Sequence, residues 1–147
     1  MVAKKEIIVR KANCKDAEGI IGVLTSTSLD EEEWSGKGTF VNENLKGLDE
    51  GIVLVAEFNS SIIGFLGCIV YPSFWESQKQ GLLTDFFVRS EYQGKGVGSK
   101  LLEALVRWAE AQNIAELHVS TGWKNAKARK LYGTYGFSEE QLLLERC

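Results

Sequence analysis

A glycine-rich stretch in the second half of the chain has the composition of an anion-binding loop. Its sequence is Gln93-Gly94-Lys95-Gly96-Val97-Gly98-Ser99. Glycines let the backbone curl and bring several N–H groups toward one anion, because no Cβ stands in the way. A helix that begins at the end of such a loop adds the partial positive charge of its N-terminus. The stretch therefore predicts a cradle for a pyrophosphate, with a glycine-rich turn that binds no ligand as the alternative.

Two other phosphate-binding signatures fit this stretch poorly. A Walker loop ends in Gly-Lys-Ser or Gly-Lys-Thr after four intervening residues, and the stretch has no such ending. The dinucleotide fingerprint needs a third glycine three residues after the second. Gly94 and Gly96 would begin that fingerprint, but Ser99 occupies the third position. Neither a Walker site nor a dinucleotide site is favoured.

The elements that must position this loop form one mixed α/β domain over residues 1–147, with helices covering a sheet. Asn13 is the predicted N-cap of the first helix, and Gly136 ends the last one. Residues 72–80 are predicted to be a loop. The predicted strands are residues 6–11, 51–58, 61–71, 81–89, 116–121 and 140–146. The predicted helices are residues 14–25, 40–46, 98–112 and 125–135.

Charge and hydropathy narrow the possible partners. With 17 basic and 20 acidic side chains the net charge is −3, whereas a nucleic-acid binder normally needs a basic stripe to replace phosphate counterions. The most apolar stretch, residues 62–71, has about half of the roughly 20 residues that a membrane helix needs. Nucleic acid and membrane are therefore not expected as partners, and a cationic partner suits the charge better.

The cysteines bear on the compartment. Cys14, Cys68 and Cys147 lie far apart and form no CxxC pair. Such cysteines are typical of a reduced cytoplasmic protein and do not favour a zinc site or a redox dithiol. Residues 1–13 are basic but lack the long apolar core of a secretory signal. The predicted location is the cytoplasm, and no metal or prosthetic group is predicted.

His118 is the single histidine of the chain. Any Ser-His or Cys-His nucleophilic scheme would therefore depend on it. It lies in a short strand-like run, Glu116-Leu117-His118-Val119-Ser120. We interpret it as a strand residue that makes an ordinary hydrogen bond.

The glycine-rich loop resembles the acetyl-CoA-binding motif of the GNAT superfamily, Gln/Arg-x-x-Gly-x-Gly/Ala, at Gln93, Gly96 and Gly98. A second block similar to that family follows at the right distance. It reads Asn125-x-x-Ala128-x-x-Leu131-Tyr132-x-x-x-Gly136-Phe137. The resemblance implies a twisted, mostly antiparallel sheet with a splayed central strand pair and flanking helices.

The resemblance also implies where acetyl-CoA would bind as co-substrate. The pantetheine arm would bond to main-chain groups near Phe86 and Val88, and N–H groups from Gly94 to Ser99 would hold the pyrophosphate. Asn125 matches a residue that contacts the cofactor or orders water beside it. Tyr132 is similar to the general acid of the family, since a phenol with a pKa of roughly 10 can protonate the departing thiolate. Its alternative role is a helix aromatic packed on the sheet.

The general base is less defined. Residues 83–92 are similar to the same tract of polyamine and thialysine acetyltransferases, which carry a glutamate where this chain has Thr84. Asp85 is a candidate base, with a structural hydrogen-bond acceptor as the alternative. Strand alternation is expected to send Asp85 to the face opposite Thr84.

An acidic cluster with an aromatic neighbour is the candidate acceptor site. Glu31, Glu32 and Glu33 precede Trp34, and such a group can hold a cationic amine by charge and by cation–π contact. A solvated acidic loop is the alternative. The predicted activity is acetyl transfer from acetyl-CoA to a primary amine, on a small molecule. Two alternatives stay open: a protein or peptide N-acetyltransferase, and a non-catalytic acyl-CoA-binding regulatory module. A homodimer is possible, since dimers are common in the family.

Overall fold

A computed structural model of the chain describes residues 6–27, 38–47 and 50–147. They form five strands and four α-helices, with single 3₁₀ turns at Cys14–Asp16 and Ser90–Tyr92. The mixed α/β class is thereby confirmed. The strands are β1 (Ile8–Lys11), β2 (Gly51–Phe58), β3 (Ser61–Ser73), β4 (Gln78–Val88) and β5 (Glu116–Val119). The helices are α1 (Ala17–Thr27), α2 (Gly38–Gly47), α3 (Val97–Ala111) and α4 (Ala126–Thr134).

The five strands lie in sequence order in one sheet. Pairs β1–β2, β2–β3 and β3–β4 are antiparallel, whereas β4–β5 is parallel. The β4–β5 ladder joins Gln80 through Leu83 to Glu116 through Val119 and then stops. Because β4 continues to Val88, a gap opens between the two strands. The predicted splayed pair in a mostly antiparallel sheet is therefore confirmed.

Each face of the sheet carries its own apolar cluster, as alternation along half-buried strands requires. Leu66 of β3 packs with Leu101 and Leu105 of α3 on one face. Phe65, the neighbour of Leu66, packs with Val23 of α1 on the other face. We call these the α3 face and the α1 face. The α3 side of the sheet also receives α4, through Leu131 and Tyr132.

The start of the first helical segment is fixed by a partly buried ion pair. Asn13 is the N-cap, as predicted: its side chain accepts from Lys15 N at 2.9 Å, and its own N–H donates to Asp16 Oδ2 at 2.8 Å. Both terminal nitrogens of Arg10 donate to Asp16, each at 2.8 Å. The Arg10 guanidinium holds the pKa of Asp16 below its usual range, although burial opposes this. The contact ties β1 to the entry of α1.

The predicted loop over residues 72–80 is mostly wrong. Strand β3 runs on to Ser73 and β4 begins at Gln78, so a four-residue turn replaces the loop. Pro72 pairs with Lys79 beyond the end of β2, which pairs with β3 only as far as Ile69. The missing N–H of proline is tolerated there because that side of β3 faces no partner strand.

The predicted last strand, residues 140–146, is also wrong. Residues 137–147 contain no strand, and Leu142 is 85% exposed. A strand needs a ladder partner, and this segment is instead held beside α4 by the ion pair between Glu140 and Arg129. In the part of the chain that the structure describes, no helix is both long and apolar enough to cross a bilayer.

Candidate active site

The glycine-rich loop presents a row of backbone donors. Gly94 and Gly96 have φ values of 76° and 83°, a left-handed conformation that favours glycine. Gly96 is the N-cap of α3, and no side chain caps the helix. Among the described residues, no acceptor binds the N–H groups of residues 94–99. Free donors at a helix N-terminus form a site for an anion.

The loop is open toward solvent and anchored toward the sheet. A Cβ added at Gly94 or Gly96 would meet nothing within 4 Å, so the space beside the donors is free. Gly98 differs, because a Cβ there would lie 3.3 Å from the ring of Phe86. The side chain of Gln93 donates to the carbonyl of Val88 at 3.1 Å. The start of α3 is therefore held against the free end of β4.

The remaining predicted loop residues differ in how far their side chains are buried. Val97 is 1% exposed and packs in the core of the α3 face, so only its main chain is available to a ligand. The ammonium of Lys95 lies 5.5 Å from the ring centroid of Tyr92. Ser99 follows in the first turn of α3, half-buried.

Tyr132 lies where the gap between β4 and β5 opens on the α3 face. Its ring meets Phe86 edge to face, with centroids 6.1 Å apart, and contacts Phe137 at 5.6 Å. The residue is 9% exposed, and burial raises the pKa of its phenol. The hydroxyl therefore stays protonated at neutral pH. It is both a packed aromatic and a retained proton donor.

A bulge in β4 alters the predicted orientation of Asp85. The ladder with β3 shifts register between Gly67 and Cys68, and Thr84 is the extra residue on β4. A Cβ at Gly67 would lie 3.2 Å from Thr84 Oγ1 and 3.4 Å from Asp85 Oδ2. Both side chains therefore point over Gly67 and both are exposed. The prediction that they point to opposite faces is wrong, because a bulge breaks the two-residue alternation.

His118 does not make the ordinary hydrogen bond expected of it. Its Nε2 is buried and has no hydrogen-bond partner in the described part of the chain. The same atom lies 3.3 Å from Glu116 Oε2, close enough for charge attraction but not aligned for a hydrogen bond. Gln80 of β4 donates to that carboxylate oxygen at 3.2 Å. The three side chains form a polar row across β4 and β5.

The loop, the split sheet and the second motif block agree with one known family. A model of the acetyltransferase (GNAT) family matches residues 15–137. The chain belongs to the GNAT family. Because the match covers most of the chain, the resemblance predicted from the two motif blocks is confirmed. The chain is therefore an acyltransferase by family.

Relatives of this GNAT chain include archaeal and bacterial proteins. An uncharacterized N-acetyltransferase of Archaeoglobus fulgidus is 30% identical over 133 residues, 86% of this chain and 89% of that protein. The spermine/spermidine N(1)-acetyltransferase of Bacillus subtilis is 34% identical over 83 residues, 54% of this chain and 55% of that enzyme. A solved aminoglycoside N-acetyltransferase in complex with CoA has a TM-score of 0.78 at 21% identity and covers 100% of this chain and 99% of its own. That structural likeness shows the shared fold.

The predicted cofactor contact Asn125 and the predicted acceptor-binding residues of this GNAT chain do not belong to the glycine-rich loop. Asn125 is the N-cap of α4, where its side-chain oxygen accepts from Ala128 N at 3.1 Å. The predicted acceptor-binding residues Glu31, Glu32 and Trp34 lie outside the described residues.

The sequence analysis did not single out Gln80 and Glu116, which join His118 in the polar row. They are neighbours only because β4 and β5 pair in parallel with Gln80 opposite Glu116. The available signal was the alternation in β5, where Leu117 and Val119 face the α3 core and so turn Glu116 and His118 to the α1 face.

Proposed function

We propose that this GNAT chain transfers the acetyl group of acetyl-CoA to a primary amine of a small molecule. The observation that carries the proposal is the row of unpartnered N–H groups over residues 94–99, placed beside the gap between β4 and β5. A pyrophosphate needs such donors, and a linear arm attached to it needs such a gap. The family membership supports the same reaction.

The residues present fit acetyl-CoA as the donor. The open space at Gly94 and Gly96 lets a diphosphate approach the backbone, and main-chain groups near Phe86 and Val88 border the gap for the pantetheine arm. Lys95 adds a positive charge beside the loop. Asn125, which caps α4, stands as the proposed contact to the donor or to a water beside it. The thioester supplies an acyl group that an amine can attack.

Tyr132 is proposed as the general acid. When the amine nitrogen bonds to the acyl carbon, the C–S bond breaks and a thiolate leaves. Burial raises the pKa of Tyr132, so its proton is present throughout the neutral range and available to the sulfur. Its contact with Phe86 places the phenol beside the strand that borders the gap. A main-chain N–H near Val88 is the proposed stabiliser of the oxyanion.

The acceptor is proposed to approach from the α1 face. Asp85 is exposed on that face and is the carboxylate that can attract an ammonium group and serve as a candidate base. The net charge of −3 favours a cationic acceptor. Relatives named for spermine and spermidine and structural neighbours named for aminoglycosides support a small amine. We place the reaction in the cytoplasm, since Cys14, Cys68 and Cys147 are free thiols.

The test is thiol release from acetyl-CoA against a panel of polyamines, aminoglycosides, amino acids and short peptides, with mass spectrometry of the products. We expect a polyamine or aminoglycoside to gain one acetyl group and the peptides to stay unmodified. Acetylation of peptides alone would replace the small-molecule acceptor by a protein. Binding of acetyl-CoA by calorimetry without thiol release would favour a regulatory module. An absence of acetyl-CoA binding would refute the proposal.

A further inference from the structure

In the polar row, the imidazole of His118 lies beside the carboxylate of Glu116, and Gln80 holds that carboxylate in place. Gln80 is 8% exposed and donates to Glu116 Oε2 at 3.2 Å. That same oxygen lies 3.3 Å from His118 Nε2. The side chain of His118 is 30% exposed, whereas its Nε2 is buried. One ring nitrogen is therefore turned inward, and the rest of the ring reaches the surface.

This arrangement fixes the orientation of the ring. A carboxylate oxygen 3.3 Å from Nε2 can orient the imidazole and stabilise the imidazolium that forms when the ring accepts a proton. The fixed amide of Gln80 limits movement of Glu116 away from the ring. A buried polar atom without a hydrogen-bond partner is uncommon, and a catalytic role is one of its explanations. Since Nε2 faces Glu116, Nδ1 is the nitrogen available to accept a proton.

The register places His118 at the opening of the gap. It pairs with Leu82, and only the pair of Leu83 with Val119 follows before β5 leaves β4. Its side chain lies on the α1 face, as does Asp85, because the flanking residues of β5 pack on the other face. Tyr132 lies on that other face. The proton donor and His118 therefore approach the gap from opposite sides of the sheet.

The placement of Tyr132 and His118 on opposite faces of the sheet suits aminolysis of a thioester. The incoming amine must lose a proton on its own side, and the departing sulfur must gain one on the other. Among the described residues of the α1 face, Glu116 lies beside His118, and Tyr71 of β3 pairs with Gln80. Asp85 lies further along β4, beyond Leu82, the partner of His118. Asp85 is exposed on this face, whereas His118 has a carboxylate held beside its ring.

We propose that His118 is the general base, which accepts the proton of the attacking amine at Nδ1 directly or across one water. Glu116 and Gln80 are positioning residues, and Asp85 attracts the ammonium form of the acceptor. The N–C bond forms as the C–S bond breaks, and Tyr132 protonates the sulfur. After the product leaves, the imidazolium returns its proton to solvent and the tyrosinate of Tyr132 takes one from solvent. The assignment rests on the proposed function.

The test compares pH profiles of kcat for the full-length wild type and variants, with spermine as probe or the panel amine of highest turnover. His118→Gln is expected to lower kcat about 100-fold at pH 7 and to remove the acidic limb of the profile. Acetyl-CoA affinity measured by calorimetry should not change. Glu116→Gln is expected to lower kcat less than His118→Gln does, because the imidazole remains but loses the carboxylate that orients it. Asp85→Asn is expected to raise KM and to keep the limb.

Two further variants separate chemistry from folding. Glu103→Gln makes the same chemical change as Glu116→Gln at an exposed site on α3, where Glu103 pairs with Arg107, and should leave the profile unaltered. His118→Ala should regain activity when free imidazole is added, an effect that a purely structural residue would not show. An unchanged acidic limb in His118→Gln, or its loss in Asp85→Asn alone, would overturn the assignment. A wild type that acetylates no amine would instead overturn the proposed function, and the assignment with it.

Discussion

The proposed donor side and the proposed acceptor side of the gap between β4 and β5 differ in the groups that they offer. On the donor side, the loop over residues 94–99 offers main-chain N–H groups, and its glycines leave the space beside them empty. On the acceptor side, the α1 face offers the side chains of Asp85, Glu116 and His118. Main-chain recognition needs only a local backbone shape, whereas side-chain recognition needs strands brought together in one register.

This difference explains why a short sequence motif is enough to predict the donor side. The loop conformation depends on residues that are adjacent in the chain, and two glycines with positive φ fix it locally. The acceptor side depends on residues about 30 positions apart in β4 and β5. A change in the loop should therefore lower donor affinity, and a change at Tyr132 or His118 should lower turnover without changing donor affinity.

The largest effect is expected for Tyr132→Phe, which removes the proposed acid. Turnover should fall by about 1,000-fold, and acetyl-CoA affinity should remain, because the ring packing on Phe86 and Phe137 is kept. Steady-state kinetics and calorimetry measure the two quantities. Tyr135→Phe, one helical turn away at a half-buried position, is the matched control. Equal turnover in the two variants would show that Tyr132 does not supply the proton.

Gly96→Val tests the donor side. Valine is strained at a φ of 83°, and its branches would enter the space beside the N–H groups. Acetyl-CoA affinity measured by calorimetry should fall about 100-fold, in line with the loss of several hydrogen bonds to a charged group. Gly133→Ala is the control, because a Cβ at Gly133 meets nothing within 4 Å and alanine favours a helix. Unaltered affinity in Gly96→Val would mean that the loop does not bind the donor.

Asp16→Asn tests how much the contact between Arg10 and Asp16 at the entry of α1 contributes to stability. The variant should lose about 2 kcal/mol of unfolding free energy, less than the loss of an isolated buried pair, because Arg10 keeps Glu57 at 3.3 Å. Urea unfolding at pH 7 measures it. Since the pKa of Asp16 is lowered in the folded state, its stabilisation is present above the unfolded pKa of about 3.9. It is lost as the pH falls through the folded value, so the two proteins should converge in acid.

An effect limited to alkaline pH is expected at Cys68 in the core of the α3 face. Burial raises the pKa of this thiol from 9.0 to about 11. Below pH 9 the thiol is protonated in both states. Between these values the unfolded state loses a proton that the folded state keeps, so unfolding free energy should fall by about 2 kcal/mol as the pH rises. In Cys68→Ala this fall should be absent from urea unfolding at pH 8 to 11, apart from ionisation of tyrosines at the upper end.

Local patterns in the sequence predicted most of the helices and strands. Strand β2 has the predicted bounds, and α3 begins one residue earlier than predicted, because Gly96 is its N-cap. The failures occur where a partner is needed. Residues 140–146 have strand-like composition but no ladder, and the turn after β3 is short because two strands continue to pair beyond the edge of β2.

The sequence by itself determined the family and the glycine-rich loop, and it singled out Tyr132 as a candidate acid, because these rest on residue types at short, fixed spacings. Tertiary structure decided which side chains share the α1 face beside the gap. The bulge at Thr84 turned Asp85 and Thr84 to the same side, and parallel pairing set Gln80 beside Glu116. The physical reason is that side-chain orientation in a sheet follows register, and register is set by which strands meet, not by either strand alone.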